Sequence, residues 1–411
     1  MTYQFPKDFL WGTATAAHQV EGNNINCDTW VLEHTPGAPY LEPSGDACDH
    51  YHRYREDIAM LAGLGFNTYR FSIEWCRVEP EDGFFSTAVL EHYRRMLATC
   101  HEHGLKPLVT LHHFTTPRWM MALGGWETPV MMERFARYCE QVVSYLGDLI
   151  YAACTINEAN ISSMLASMNY LPPVDMLRES DWWISAARKM GADPSNMMPF
   201  MYASTDTARH VILETHRKAT IALKSGKTNF PVGITLALQD IQAVPGGEKQ
   251  AQEARFLIND YWLEAIRGDD FVGVQNYSRM RFSAEGSLPS EVGVETTQMG
   301  YEFWPEALEA TLREAARVAQ IPIIITENGI GIADDSRRIA FIERALQGVI
   351  RCLKDGLDVR GYTYWSAMDN FEWNLGYTPT FGIIAVDRQT QVRFPKPSAR
   401  WLGNIARANT F

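Results

Sequence analysis

The sequence lacks several features that define broad classes of protein. It does not open on a basic segment followed by an apolar run, and no stretch reaches the ~18 apolar residues of a membrane span, so neither a secretory signal nor a transmembrane helix is predicted. It also lacks a basic patch, since 37 basic and 49 acidic side chains give a formal charge of −12. A nucleic acid or an anionic membrane surface is therefore not an expected partner.

Metal-binding and disulfide patterns are also missing. The seven cysteines are scattered, odd in number and without a C-x-x-C pair, which indicates reduced thiols and a cytoplasmic protein. His112 and His113 are successive residues of a predicted strand, so their side chains point to opposite faces and cannot share one ion. His101 and His103 close a predicted helix, where cationic side chains suit the helix dipole. The sequence thus implies no metal and no organic cofactor.

Aromatic residues are abundant in an otherwise ordinary globular composition. Hydrophobic residues make up 46% and charged residues 21% of the 411 residues, which excludes a disordered chain, a collagen-like repeat and a coiled coil. The 12 Trp, 17 Tyr and 19 Phe favour a protein that binds flat apolar ligand faces such as those of sugar rings.

Eight short runs rich in β-branched residues alternate with longer stretches of helical period. The predicted strands are Phe9–Thr13, Thr68–Ile73, Pro107–His112, Ala152–Asn157, Val232–Leu238, Phe271–Asn276, Ile321–Thr326 and Gly361–Ser366. Parallel strands need crossover connections, and eight such units close into a (β/α)₈ TIM barrel with its active site at the carboxyl ends of the strands. We therefore expect an α/β protein whose residues 1–411 form one catalytic domain. The alternative is a doubly wound open sheet, but the first strand-to-helix turn, GTATAAHQVEG, lacks the G-x-G-x-x-G pattern.

Polar residues cluster where these strands end. They are Arg70 and Glu74, His112 and His113, Asn157 and Glu158, Gln275 to Tyr277, Glu327 and Asn328, and Glu372 with Trp373 beyond Trp365. Asn157 and Glu158 raise a difficulty, because alternation along a strand would send one of them outward. A strand end or a bulge could aim both side chains into the barrel.

Two glutamates close apolar strands at equivalent ends of the predicted barrel. Either glutamate alone could be a helix cap or a surface charge, but a carboxylate pair facing one cavity is the arrangement that glycoside hydrolysis requires. Arg70 and the Tyr277 hydroxyl would favour the ionised form of Glu327, which makes Glu327 the candidate nucleophile. Glu158, backed by Cys154 and without an obvious cation, would have a raised pKa and act as the acid.

Several blocks together resemble one enzyme family over nearly the whole chain. These blocks are FPKDFLWGTATAAHQVEG, DHYHRYREDIAMLAGLGFNTYRFSIEW, GGWETPVMMERFARY, TINEAN, ITENGIG and YWSAMDNFEWNLGYTPTFGIIAVD. In them the sequence is similar to glycoside hydrolase family 1, the retaining β-glycosidases that include many β-glucosidases. The resemblance implies that Glu158 is the acid/base, that Glu327 is the nucleophile, and that Arg70 and Tyr277 are its partners. The sugar-binding residues that it implies are Gln19, His113, Asn157, Trp365, Glu372, Trp373 and Phe381.

The chain departs from this family's pattern at three places. Ala159 stands where a proline usually follows the acid/base residue, and HFTTP replaces the common His-Trp-Asp-x-Pro, which removes an indole donor. GVQNYS replaces the frequent GxNYYS, so Gln275 stands where Asn is common. Glu372 remains, however, and would repel a 6-phosphate, while Glu158 is not the Gln of thioglucosidases.

We therefore expect a retaining exo-β-glycosidase that hydrolyses small β-D-glucosides, with β-galactosides or β-fucosides as secondary substrates. The alternatives are a transglycosidase that uses apolar alcohol acceptors and a catalytically silent sugar-binding barrel. Trp182 and Trp183 lie in a long insertion after the fourth strand and either contact an apolar leaving group or only cover the barrel. Residues 278–299 are predicted to form another loop at the rim.

Overall fold

The computed structural model describes residues 2–226 and 229–411. Eight parallel strands of these residues form a closed barrel, as the alternation of strand and helix patterns predicts. The strands are β1 (Leu10–Ala14), β2 (Thr68–Ser72), β3 (Lys106–His112), β4 (Ala152–Ile156), β5 (Val232–Ala237), β6 (Phe271–Asn276), β7 (Ile323–Asn328) and β8 (Val359–Trp365). Each strand pairs with its neighbours in sequence, and β8 returns to β1 in the register Ala14 to Trp365. Every strand lies within two residues of its predicted position.

Helices occupy the connections between the strands. The long helices are His50–Leu64, Thr87–Glu102, Val130–Leu146, Asp206–Lys224, Ala307–Val318, Asp335–Lys354 and Pro397–Ala408. Between β5 and β6 the helices Glu248–Arg255 and Tyr261–Ala265 flank a π-helical turn, Phe256–Asp260. Short helices are Ala17–Val20, Asp28–Glu33, Trp75–Val78, Arg118–Ala122, Ile161–Ser167, Val174–Arg178 and Asp181–Lys189, and 3₁₀ turns are Gly125–Glu127, Gly147–Leu149, Phe200–Tyr202 and Trp373–Leu375. Over the described residues, no helix combines the length and apolarity needed to cross a membrane.

The two ends of the barrel differ in character. At the amino ends of the strands, an apolar layer of Leu10, Leu108, Ala152, Cys154, Phe271 and Ile324 is almost fully buried. The polar and aromatic residues predicted from the strand ends lie at the opposite end of the barrel. The barrel therefore has a closed apolar floor and a polar mouth.

The prediction of a rim loop over residues 278–299 is wrong for part of that segment. Arg279–Ser283 and Gly286–Ser287 are strands, and Arg279–Ser283 also pairs with Asp240–Ala243 beyond β5. A second small sheet joins Ile384–Val386 to Arg393–Pro395.

All seven cysteines are buried, free thiols, as their spacing predicts.

Candidate active site

The carboxyl ends of β4 and β7 place Glu158 and Glu327 at the mouth of the barrel. Both side chains are buried, and only 7% of Glu158 and 3% of Glu327 is exposed. Glu327 lies within β7, next to Gln275 of β6, at a register shift that follows Ile325. Glu158 lies just beyond the last residue of β4.

A local change of backbone direction brings both Asn157 and Glu158 into the pocket. Strand β4 ends at Ile156, and Glu158 has a φ of 44°, so the alternation of a strand no longer applies to it. The Glu158 N–H donates to Thr235 Oγ1 at 3.0 Å, and the Ala159 N–H donates to the Thr235 carbonyl at 3.1 Å. A proline at position 159 would lack this second donor. The strand-end explanation of the two adjacent polar residues is therefore correct.

Two donors hold the carboxylate of Glu327. Arg70 Nη1 donates to Oε1 at 2.5 Å, and the Tyr277 hydroxyl donates to Oε2 at 2.5 Å. Arg70 itself is fully buried, so this ion pair is shielded from solvent. Burial raises the pKa of Glu327 above its ordinary value, while the Arg70 charge and the Tyr277 hydrogen bond oppose that rise.

Glu158 has a less favourable environment for a negative charge. Burial raises the pKa of Glu158 well above its ordinary value, and the negative charges of Glu327 and Glu372 raise it further. Arg70 opposes this rise through its charge. Cys154 does not back Glu158, because it belongs to the apolar floor. The asymmetry between the two glutamates lies in the hydrogen bonds that Arg70 and Tyr277 donate to Glu327.

Three donors fix the amide of Asn157. Its Oδ1 accepts from Arg70 Nη2 at 2.6 Å, from Gln275 Nε2 at 2.8 Å and from Thr235 Oγ1 at 3.2 Å. Its Nδ2 therefore faces the opposite way and lies 3.1 Å from His113 Nε2. The strand-end pattern had indicated Gln275, but Thr235 was missed, since a threonine inside a β-branched run looks like any other strand residue.

Aromatic rings form one wall of the pocket. The ring of His113 is nearly parallel to that of Trp365, at 19° and 5.6 Å between centroids, and to that of Trp373, at 13° and 6.3 Å. Phe381 packs edge-on against Tyr277 at 5.9 Å. The peptide bond after Trp365 is cis. This wall offers flat apolar surfaces beside the two carboxylates.

A third carboxyl group of the pocket, that of Glu372, lies beside Gln19 of the helix Ala17–Val20. Gln19 Nε2 donates to the Phe371 carbonyl at 2.6 Å and lies 3.5 Å from Glu372 Oε2. Gln19 Oε1 is buried and has no hydrogen-bond partner among the described residues. Burial and then the charge of Glu327 raise the pKa of Glu372 to about 8. Gln19 and Glu372 thus present adjacent polar groups that a ligand's hydroxyls could satisfy.

The chain is similar to known proteins over nearly its whole length. The model for Glycosyl hydrolase family 1 matches residues 1–270 and 251–411. The chain belongs to this family. Thermostable beta-glucosidase B of Thermobispora bispora is 32% identical over 98% of this chain and 91% of its own length. Beta-glucosidase A of Thermotoga maritima is 29% identical over 99% of this chain and 98% of its own length.

Solved structures of family 1 share the fold closely. One solved β-glycosidase is 55% identical, with a TM-score of 0.96 over 98% of this chain and 97% of its own. The β-glycosidase from Pyrococcus horikoshii is 33% identical, with a TM-score of 0.85 over 100% of this chain and 96% of its own. The TIM barrel is thus the fold of this chain and of its relatives.

Several residues singled out from the sequence lie outside the family 1 pocket. His112 packs against Trp126 and Phe200 on the outer side of the barrel, and burial lowers its pKa to about 3. Trp183 is fully buried and donates to the Pro194 carbonyl at 2.9 Å, which favours the alternative that it covers the barrel. Trp182 packs beside it, half-buried. In residues 2–226 and 229–411, no three His, Cys, Asp or Glu side chains are grouped to hold a metal ion.

Proposed function

We propose that this family 1 protein is a retaining exo-β-glycosidase that hydrolyses β-D-glucosides, with β-galactosides or β-fucosides as secondary substrates. The observation that carries the proposal is the unequal pair of buried carboxyls, one held by Arg70 and Tyr277 and one without hydrogen-bond donors of that kind among the described residues. Catalysis at a glycosidic bond needs an ionised carboxylate and a protonated carboxyl at the same pH. The names of the relatives support a glucoside as the substrate.

The chemistry follows from this asymmetry. Glu327, kept ionised by Arg70 and Tyr277, attacks the anomeric carbon and forms a glycosyl ester. Glu158 donates its proton to the leaving oxygen, and then takes a proton from the water that attacks the ester. Two inversions at the same carbon return the β configuration.

We further propose that the polar and aromatic residues around this pair bind one non-reducing sugar. Asn157, oriented by its three donors, presents its amide N–H to the 2-hydroxyl, where contacts strengthen in the transition state. Trp365 covers the apolar face of the ring, with His113 and Phe381 beside it. Gln19, Glu372 and Trp373 bind the remaining hydroxyls.

We also propose that the 411 residues act as one catalytic domain, since the barrel uses the chain from β1 to β8. The seven free thiols favour a reducing compartment such as the cytoplasm.

Kinetics of three variants on an aryl β-glucoside test the mechanism. Glu327→Gly removes the nucleophile and should lower kcat by about 10⁴-fold or more. Glu158→Ala removes the acid/base and should lower kcat by about 10²- to 10⁴-fold. Azide added to Glu158→Ala should restore turnover and yield the β-glycosyl azide, because azide attacks the intermediate without base catalysis. Glu79→Gln is the control, since Glu79 is a fully buried carboxylate that contacts Trp75 and Arg137.

The outcomes separate the parts of the proposal. Normal turnover by Glu327→Gly would exclude Glu327 as the nucleophile. An α-glycosyl azide from Glu158→Ala would exclude a retaining mechanism. A panel of aryl glycosides that differ at C4 and C6 then measures the preference among glucosides, galactosides and fucosides.

A further inference from the structure

A buried histidine lies directly behind the sugar-binding face of the pocket. The imidazole of His18 is parallel to the indole of Trp373, at 8° and 5.7 Å between centroids, and meets Phe371 edge-on. His18 is only 1% exposed, so it cannot contact a sugar itself. It also directly precedes Gln19 on the helix Ala17–Val20. It therefore adjoins two proposed sugar-binding residues at once.

Both nitrogens of this imidazole have polar partners. Nε2 of His18 lies 3.3 Å from Oε2 of Glu33, the last residue of the helix Asp28–Glu33. Nδ1 lies 3.3 Å from Nδ2 of Asn24 and 3.5 Å from Sγ of Cys27, which caps the first turn of the same helix by accepting from the Trp30 N–H. These contacts on opposite sides of the imidazole fix the plane of the ring. Because an ionised carboxylate only accepts hydrogen bonds, Nε2 carries a proton.

The side chains of Glu33 and Cys27, on either side of the imidazole, have hydrogen-bond partners of their own. The side chain of Glu33 is fully buried, and its Oε1 accepts from Ser44 Oγ at 2.6 Å. Burial opposes a charge on His18, but Cys27 and Glu33 together raise its pKa well above the ordinary value. Burial likewise opposes ionisation of Cys27, but a hydrogen bond with Cys76 and the charge of His18 lower its pKa to about 7.

We propose that His18, clamped between Cys27 and Glu33, is a positioning residue that holds the Trp373 indole and the adjoining Gln19 in place to bind sugar hydroxyls. The proposal rests on the sugar-binding role proposed above for these two residues. Trp373 needs such support because it has a φ of 48° and is only half-buried. The ring of His18 supplies a flat surface behind it, and the two hydrogen bonds keep that surface parallel.

The test compares His18→Ala and His18→Phe with His216→Ala. His216 is the matched control, since it is equally buried and bonded to a carboxylate, Asp269 at 2.8 Å, but lies on the helix Asp206–Lys224 outside the barrel. Each protein is assayed on an aryl β-glucoside and on analogues that lack one hydroxyl at C2, C3, C4 or C6. His18→Ala should lower kcat/KM on the parent glucoside by about tenfold. His18→Phe, which keeps a flat ring, should lose less.

The deoxy analogues separate positioning from a general loss of structure. For each deoxy analogue, the measured ratio is kcat/KM on the parent glucoside divided by kcat/KM on the analogue. In His18→Ala, this ratio should fall for one or more of the analogues that lack the C3, C4 or C6 hydroxyl. The ratio for the analogue that lacks the 2-hydroxyl, which Asn157 binds, should stay as in the wild type. His216→Ala should leave all four ratios unchanged. If His18→Ala keeps every ratio, or loses all four equally, His18 is not a positioning residue. If the wild-type protein does not hydrolyse the parent glucoside, the proposed function fails instead.

Discussion

The guanidinium of Arg70 and the hydroxyl of Tyr277 favour the ionised form of Glu327. Burial alone would raise the pKa of both Glu327 and Glu158, and two neutral carboxyls could not form a glycosyl ester. Arg70 also donates to Asn157, so the same cation orients the amide that is proposed to bind the sugar. One buried side chain therefore serves both the reacting group and the neighbouring contact.

Tyr277→Phe should move the acid limb of the pH profile of kcat/KM to higher pH. The hydroxyl of Tyr277 stabilises the ionised form of Glu327 and so lowers its pKa; without this hydroxyl the pKa rises, and activity is lost at a higher pH than in the wild type. One hydrogen bond to a charged group corresponds to a shift of roughly one pH unit. Tyr362→Phe is the control, because the Tyr362 hydroxyl donates to Asn328 at 2.9 Å. An unchanged acid limb in Tyr277→Phe would contradict the assignment.

At the residue scale, the sequence indicates the charged residues of a site more readily than the neutral residues that hydrogen-bond to them. Glu158, Glu327 and Arg70 are visible because ionisable side chains are unusual at the ends of apolar strands. Thr235 could not be found in this way, since its role depends on a hydroxyl reaching across to β4. Trp183 left two interpretations open, because an indole in a long insertion gives no sign of whether it is buried.

At the scale of strands and helices, the barrel strands could be predicted to within two residues because each is a buried β-branched run bounded by polar residues. The structure of the segments inserted between the barrel strands was harder to predict. Arg279–Ser283 alternates buried and half-exposed residues, as a strand with one solvent-facing side does, but its partner Asp240–Ala243 lies across β6 in the sequence. No local pattern specifies such a pairing.

The helix His50–Leu64 offers a matched pair of glycines two residues apart. Gly63 lies within the helix with open space around the position of a Cβ, so Gly63→Ala should raise the free energy of unfolding by about 0.5–1 kcal/mol. Gly65 ends the helix with a φ of 116°, and a Cβ there would lie 2.5 Å from the carbonyl oxygen of Gly403. Gly65→Ala should therefore lower the free energy of unfolding by about 2 kcal/mol or more. Denaturant titration measures both, and equal effects would contradict the structure.

For the molecule as a whole, the seven thiols report on the integrity of the barrel. Every cysteine has a relative exposure of 0%. A thiol reagent such as DTNB should therefore label none of them rapidly in the native protein and all seven in denaturant. Ser195→Cys is the control, since Ser195 is exposed and its replacement should react at once. Rapid labelling of the native wild type would show that part of the barrel opens.

The pairing of Arg70 with Glu327 has a consequence for how the protein is made. The two residues are 257 positions apart, so at about 5–20 residues per second a ribosome adds the partner of Arg70 roughly 13–50 seconds after Arg70 itself. A guanidinium buried without its carboxylate is strongly unfavourable. The first half of the nascent chain therefore cannot adopt its final packing around Arg70, and completion of the barrel depends on a strand from the last quarter of the chain.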